Sequence, residues 1–413
     1  MSETRGAAPV GEKQRHIILD ALRGFALLGI CLANFPEFSL YSFLHSEAAE
    51  AMPTAVADRL TKFLIYFIVD GKFYTIFSLL FGIGFSIIIA NAAQRGANGF
   101  RIFYRRMFFL LLIGFAHLML IWSGDILMLY ALVGMLLPLF MRLTDRWLLR
   151  AAGFFLLLPV IVDSVCQLAE LHPSAAIIDW QAYYCNRYGI TDANFAYWLR
   201  DAQSYDDVFK FLIQGAIVRL QEFVDGNRYF KVMGLFLIGY YIGRHRLYAD
   251  IAAHKKQLRA IMRYGLLCGL PLSAVYAWSC VEGHPFGLGM HSLLYFASVY
   301  ITSFGYVAVI CLVYLRLKDA AMWRFLAMPG RMALTNYIGQ SVAGMIIFYG
   351  IGFGLGADMG LIYVEFIAIA VFVCEALVSR LWLSAFRFGP LEWLWRCLTY
   401  GRHFPLIKKA ENQ

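Results

Sequence analysis

The sequence predicts an all-α, polytopic membrane protein of about ten transmembrane helices, arranged as two five-helix bundles. Three observations predict it. Of 413 residues, 61% are hydrophobic and 15% charged, against roughly 25% charged in soluble domains. Several stretches hold about 18 or more apolar residues with almost no charge, the length that crosses a bilayer. The basic residues fall in alternate connections. A large soluble helical protein is excluded, because it has no interior for so many helices that are apolar all round. The net charge of +9 follows this topology, so no nucleic-acid partner is expected.

Taken in order, residues 1–16 are polar and basic. The apolar run after them contains Asp20 and Arg23 and ends in no small-x-small cleavage site, so it reads as a retained first span rather than a signal peptide. Spans are expected near 17–36, 73–92, 103–122, 126–142, 147–166, 229–243, 260–280, 290–315, 332–354 and 360–383. Segment 58–70 either extends the second or lies along the interface. Arginines at 95, 101, 105 and 106, at 142, 146 and 150, at 244 and 246, and at 316, 324 and 331 mark alternate loops, whereas 37–57 carries Glu37, Glu47 and Glu50. Basic loops stay in the cytoplasm. Both termini are therefore expected there, with an even number of spans.

These signals divide the chain into an N-terminal bundle (1–166), an extracytoplasmic region (167–227) and a C-terminal bundle with an interfacial tail (228–413). Trp180, Tyr183, Tyr184, Tyr188 and Trp198 argue against disorder in the long middle region; they suit either lipid headgroups or a sugar. The tail 386–402 mixes Trp393 and Trp395 with arginines and reads as a helix on the membrane surface. Cys166 and Cys185 flank the middle region and are candidates to pair. The remaining cysteines show no Cys-x-x-Cys and no zinc-ligand spacing, so no metal is expected.

Ionisable residues inside a membrane are costly and carry the functional reading. Asp20 and Arg23, three apart, share a helix face. Arg23 offers a planar fork suited to phosphate, or it snorkels beside its carboxylate. Asn34 follows eleven residues later, about 16 Å along the axis on nearly the same face. His45 follows by eleven more, in the outer loop. His117 is flanked by apolar residues, with Asp125 in a tight turn just beyond it. A carboxylate there orients the imidazole and raises its basicity; alternatively Asp125 is a helix cap. Lys72 opens the second span beside Asp70 and Gly71. Arg331 and Asn336 open the ninth.

"LDALRGFALLGICLANF", "GKFYTIFSLLFGIGF", "GFAHLMLIWSGDILMLYALVG", "GRMALTNYIGQS" and "GPLEWLWRCLTYG" together resemble the YeiB family of bacterial inner-membrane proteins (domain of unknown function 418), from about residue 15 to 405. That family resembles more distantly a superfamily of transmembrane acyltransferases that includes heparan-alpha-glucosaminide N-acetyltransferase. The resemblance implies transfer of an acyl group, acetyl in the first instance, from cytoplasmic acyl-CoA to a glycan or lipid-linked sugar outside. It places the superfamily's first-span arginine and asparagine on Arg23 and Asn34, and its asparagine–histidine spacing on Asn34 and His45; His117 matches the YeiB pattern. The expected scheme is then a CoA phosphate site at Arg23, Arg331, Asn336 and Lys72, with His45 or His117 as base, Asn34 as oxyanion donor and Asp125 orienting the histidine. Direct transfer and an acyl-histidine both remain open. So do a transporter or flippase, a non-catalytic membrane protein, and a second copy of the chain as partner beside the bilayer.

Overall fold

The computed structural model describes residues 16–408; the basic start at 1–15 and Lys409 lie outside the described residues. The described chain is helical and has no strand, only an isolated antiparallel bridge between Phe386 and Ile407. In order the helices are α1 (Ile17–Phe38), α2 (Ser46–Glu50), α3 (Ala55–Leu64), α4 (Lys72–Gln94), α5 (Gly99–Leu120), α6 (Leu127–Gly134), α7 (Asp145–Leu168), α8 (Ala175–Tyr188), α9 (Asp192–Phe195), α10 (Tyr205–Asp225) and α11 (Arg228–Arg244). Then come α12 (Lys255–Leu267), α13 (Gly269–Val281), α14 (Gly287–Tyr295), α15 (Ile301–Arg316), α16 (Ala321–Arg331), α17 (Ala333–Phe348), α18 (Leu361–Ala385) and α19 (Pro390–Tyr400).

Seven helical stretches are long and apolar enough to cross a membrane: α1, α3–α4, α5, α7, α12–α13, α14–α15 and α18. The apolar segments α6, α11 and α17 have only 8, 17 and 16 residues. Their sides explain the difference. The long helix α18 turns Phe366, Ile369, Val373, Leu377 and Leu381 outward, and α7 exposes Phe154, Leu157, Ile161 and Val165. Water does not tolerate such continuous apolar faces, and hydrocarbon does. By contrast, α11 is buried along most of its length.

Helix α1 sits at the centre, packed on α4, α16, α17 and α18. A side-chain carbon at Gly24 would overlap the Leu326 carbonyl, and one at Gly330 would overlap that of Asp20; the missing Cβ atoms let α1 and α16 touch backbone to backbone. Gly82 of α4 and Gly239 of α11 make the same kind of crossing, while Gly84 faces open space. Residues from both sides of the long connection, among them Phe35, Tyr130, Phe236, Tyr337 and Phe372, join one hydrophobic cluster. The two expected bundles therefore share a core.

The span α3–α4 is interrupted. Ile65–Val69 forms a π-helical turn, and Gly71 takes φ +69°, a left-handed conformation that suits glycine. Around the break, the Tyr66, Phe67 and Ile68 carbonyls accept from Lys72 Nζ (2.6 Å), Ser273 Oγ (2.8 Å) and Tyr306 OH (3.3 Å).

The middle region is helical and packed. Ile190, Leu199, Val208 and Phe211 join the main core, and Phe195 bridges Phe43 and Phe211. Helix α10 opens on a capping box between Ser204 and Asp207 and ties to the turn after α5 through Arg219 Nε to the Ser123 carbonyl (2.9 Å). Cys166 and Cys185 are both free. The tail forms α19, whose buried face carries Glu392, Trp395 and Thr399 and docks on α5 and α17 rather than lying wholly on the membrane surface.

Candidate functional site

A single cavity of about 620 Å³ joins two polar ends through an apolar waist. At one end Arg23 comes from α1, Arg106 from α5, Arg331 from the end of α16, and Trp395 and Arg396 from α19. Arg23 is paired with Asp20 at 2.6 Å, and Arg331 donates to the Arg387 carbonyl at 3.4 Å. Glu392 is spent on the start of α17: its carboxylate accepts from the Leu334 and Thr335 amides (2.7 and 3.0 Å) and the Thr335 hydroxyl (2.6 Å). Arg106 differs from these. Its guanidinium lies 3.6 Å over the Trp395 ring, lines the cavity, and has no carboxylate or carbonyl partner among the described residues.

The waist is built of Leu27, Ile30, Phe73, Phe77, Leu80, Phe81, Met107 and Leu110. Beyond it lies a chamber lined by Asn34, Glu37, Tyr66, Asp70, Tyr74, Arg219, Arg228 and Lys231. Its charges are largely matched: Arg219 pairs with Glu222 and, at 3.9 Å, with Glu37; Arg228 reaches Glu222 at 3.4 Å. Lys231 Nζ lies 4.2 Å over the Tyr295 ring. Among the described residues the buried Tyr74 hydroxyl has no hydrogen-bond partner, and the half-buried Asn34 amide lines the same cavity. Buried polar groups are normally satisfied, so the Tyr74 hydroxyl suits a bound molecule.

The structure brings together part of the expected site. Arg23 and Arg331 share the arginine mouth, and Asn34 lines the far chamber. His117 and Asp125 form the expected pair, Nδ1 to Oδ2 at 2.9 Å, with both side chains fully buried. The other ring nitrogen meets Ser341 Oγ at 3.0 Å, and Asp125 also caps α6 through the Met128 amide at 2.8 Å. None of these three lines the cavity; Trp122 and Tyr337, which do, pack against the His117 ring. The triad thus ties the α5–α6 turn to α17 from behind the wall.

The remaining expected residues lie elsewhere. His45 caps α2 on the surface, beside the Asp192 carbonyl (3.3 Å) and carboxylate (3.6 Å), outside the cavity that Asn34 lines. Asn336 is buried and binds Ser379 on α18 at 2.9 Å. Lys72 is fully buried against the Tyr66 carbonyl and the Tyr276 ring, 5.3 Å from its centroid, and joins no arginine.

Several lining residues were missed by the sequence reading. Arg106 reads as loop charge beside Arg95, Arg101 and Arg105, although it sits inside the apolar run 103–122. Glu37 reads as part of an acidic loop, although it follows Asn34 by one turn on the same face. Arg219, Arg228 and Lys231 carry no local signal, because only the packing of α10 and α11 brings them to the chamber.

No solved structure matches the chain. A family profile described as "Protein of unknown function (DUF418)" matches residues 242–402. "Uncharacterized protein YxaH" of Bacillus subtilis is 30% identical over 98% of both chains. An "Uncharacterized 39.9 kDa protein in amylase 3'region" of Bacillus acidopullulyticus is 30% identical over 98% of this chain and 99% of its own. "Uncharacterized protein YeiB" of Escherichia coli is 28% identical over 97% of this chain and 100% of its own. With relatives matched end to end at this level, and the five motifs resembling the same family, the chain belongs to the YeiB (DUF418) family of membrane proteins.

Proposed function

We propose that the protein is a membrane acyltransferase that takes an acyl group from cytoplasmic acyl-CoA and passes it to a hydroxyl or amine of a glycan or lipid-linked sugar on the other side. In this reading the chain crosses a bacterial inner membrane ten times, with α6, α11 and α17 as short inner spans and both termini cytoplasmic. One observation carries the proposal: the Arg106 guanidinium faces the cavity without an anion of its own, beside Arg23 and Arg331. A cation held chiefly by an aromatic face in a low-dielectric site is costly, and a CoA diphosphate neutralises it. The pantetheine arm occupies the apolar waist, and the thioester reaches the far chamber.

There the acceptor oxygen or nitrogen attacks the thioester carbonyl carbon, and Glu37 takes the acceptor's proton. Asn34 and Tyr74 donate to the oxyanion; one such donor is worth about 3–4 kcal/mol. The C–S bond then breaks, and the thiolate recovers the proton as CoA leaves. Neither His45 nor His117 is required, because neither faces this chamber.

A second reading, a transporter or flippase, draws on the interrupted α3–α4 span beside the same cavity, an arrangement transporters use around substrate. Calorimetry with CoA separates the two. Arg106→Gln is expected to weaken CoA binding roughly 10- to 150-fold, the value of about 1.5–3 kcal/mol for a charged hydrogen bond, while leaving the ligand-free protein at least as heat-stable. Glu37→Gln is expected to stop thioester turnover and spare binding. If the wild-type protein neither binds CoA nor cleaves acyl-CoA with any acceptor, the acyltransferase reading fails; uptake of a substrate by proteoliposomes then establishes the second.

A further inference from the structure

The connection between α13 and α14 places Cys280, His284 and His291 together, with one donor atom of each within 4.8 Å of the others. All three line the far chamber. Cys280 is buried in the last turn of α13, and His291 stands in the second turn of α14. His284 is carried between them by two successive left-handed residues, Gly283 at φ +74° and His284 itself at +61°. The second is unusual for a side chain with a Cβ. Its amide closes on the Ser279 carbonyl at 2.8 Å, which folds the imidazole back to 4.4 Å from the His291 ring. The His291 Nδ1 is buried and has no hydrogen-bond partner among the described residues. A buried imidazole nitrogen with no partner among the described residues thus stands beside a buried thiol and a second imidazole.

We propose that these residues bind a divalent ion of the zinc class, through Cys280 Sγ and one ring nitrogen each of His284 and His291. One thiolate and two imidazoles match the borderline-soft donor set that zinc prefers over magnesium or calcium. Three protein ligands leave a fourth tetrahedral position, as in catalytic rather than structural sites. Here all three ligands line the cavity. Asp70, whose carboxylate accepts from Tyr276 OH at 2.7 Å, lines the same chamber. The sequence reading missed the site because Cys-x3-His-x6-His is no standard ligand spacing; only the left-handed turn makes it converge.

The test uses tag-free, full-length protein in detergent, stripped with a chelator and titrated with Co²⁺ and then Zn²⁺. We expect one Co²⁺ per chain, with tetrahedral d–d absorption and a thiolate-to-cobalt charge-transfer band, both bleached by Zn²⁺. Cys280→Ser is expected to abolish the charge-transfer band. His284→Ala is expected to weaken binding by at least about tenfold with an unchanged unfolding midpoint in the metal-free protein. Should Cys280→Ser fail to fold, His284→Ala decides. A wild-type protein with no charge-transfer band, or His284→Ala with wild-type affinity, overturns the proposal. These readouts are independent of CoA, so the metal site and the acyltransferase reading stand or fall separately.

Discussion

His117→Leu separates a wall-building histidine from a catalytic one. In the native protein both side chains of the His117–Asp125 pair are fully buried, and the ring also holds Ser341. Leucine leaves the Asp125 carboxylate with the Met128 amide alone. Removing one partner of a buried pair costs about 3–5 kcal/mol, a large share of a total stability of roughly 5–15 kcal/mol. Adding Asp125→Asn removes the stranded charge and keeps an acceptor for the Met128 amide. The double variant then loses only neutral hydrogen bonds, about 0.5–1.5 kcal/mol each. It should therefore unfold at a higher temperature than the single variant, by about 2–3 kcal/mol in stability when the two costs are compared. Thermal unfolding in detergent measures the order of midpoints, with CoA binding as the functional control. Additive losses in the double variant would refute the stranded-charge argument. A single variant that melts like wild type yet loses turnover would place the ring in the chemistry.

Two further expectations concern the scaffold. Gly24→Val should push α1 off α16, because even a Cβ overlaps the Leu326 carbonyl; overpacking of this kind costs about 1–3 kcal/mol and should appear as a lower unfolding midpoint and weaker CoA binding at the neighbouring Arg23. The Asp207 carboxyl is held below the ordinary range chiefly by the hydrogen bond from the Ser204 hydroxyl (3.0 Å). A depressed folded value stabilises fully above the unfolded value of about 3.9 and is lost as pH falls through the folded one. Asp207→Asn should therefore lower the midpoint at neutral pH, and its gap to wild type should close on acidification.

Much of the framework was legible because hydrocarbon imposes a simple rule: long apolar runs become helices. The His117–Asp125 pair was legible too, since the short connection 121–126 brings two helix ends together whatever surrounds them. Which side of a helix faces the cavity was not. His117 and Arg106 lie eleven residues apart on α5, and nothing local says that Trp122 and Tyr337 will screen the first while the second opens on the mouth. Asn336 read as a site residue because a polar group in an apolar helix is costly; Ser379, 43 positions away, is what satisfies it. Glu37 and Arg106 were assigned to loops because charge marks span ends, and that rule fails where a cavity admits charge into the membrane.

The break in α3–α4 has a consequence for how the sequence can change. Inside a bilayer no water replaces a lost partner for a backbone carbonyl. The carbonyls of Tyr66, Phe67 and Ile68 depend on side chains from α4, α13 and α15, and the bend itself depends on Gly71. Positions 71, 72, 273 and 306 are thus one structural unit spread over the chain. A substitution at any of them leaves the others serving a joint that no longer closes, so such changes should become tolerable only when they arrive together.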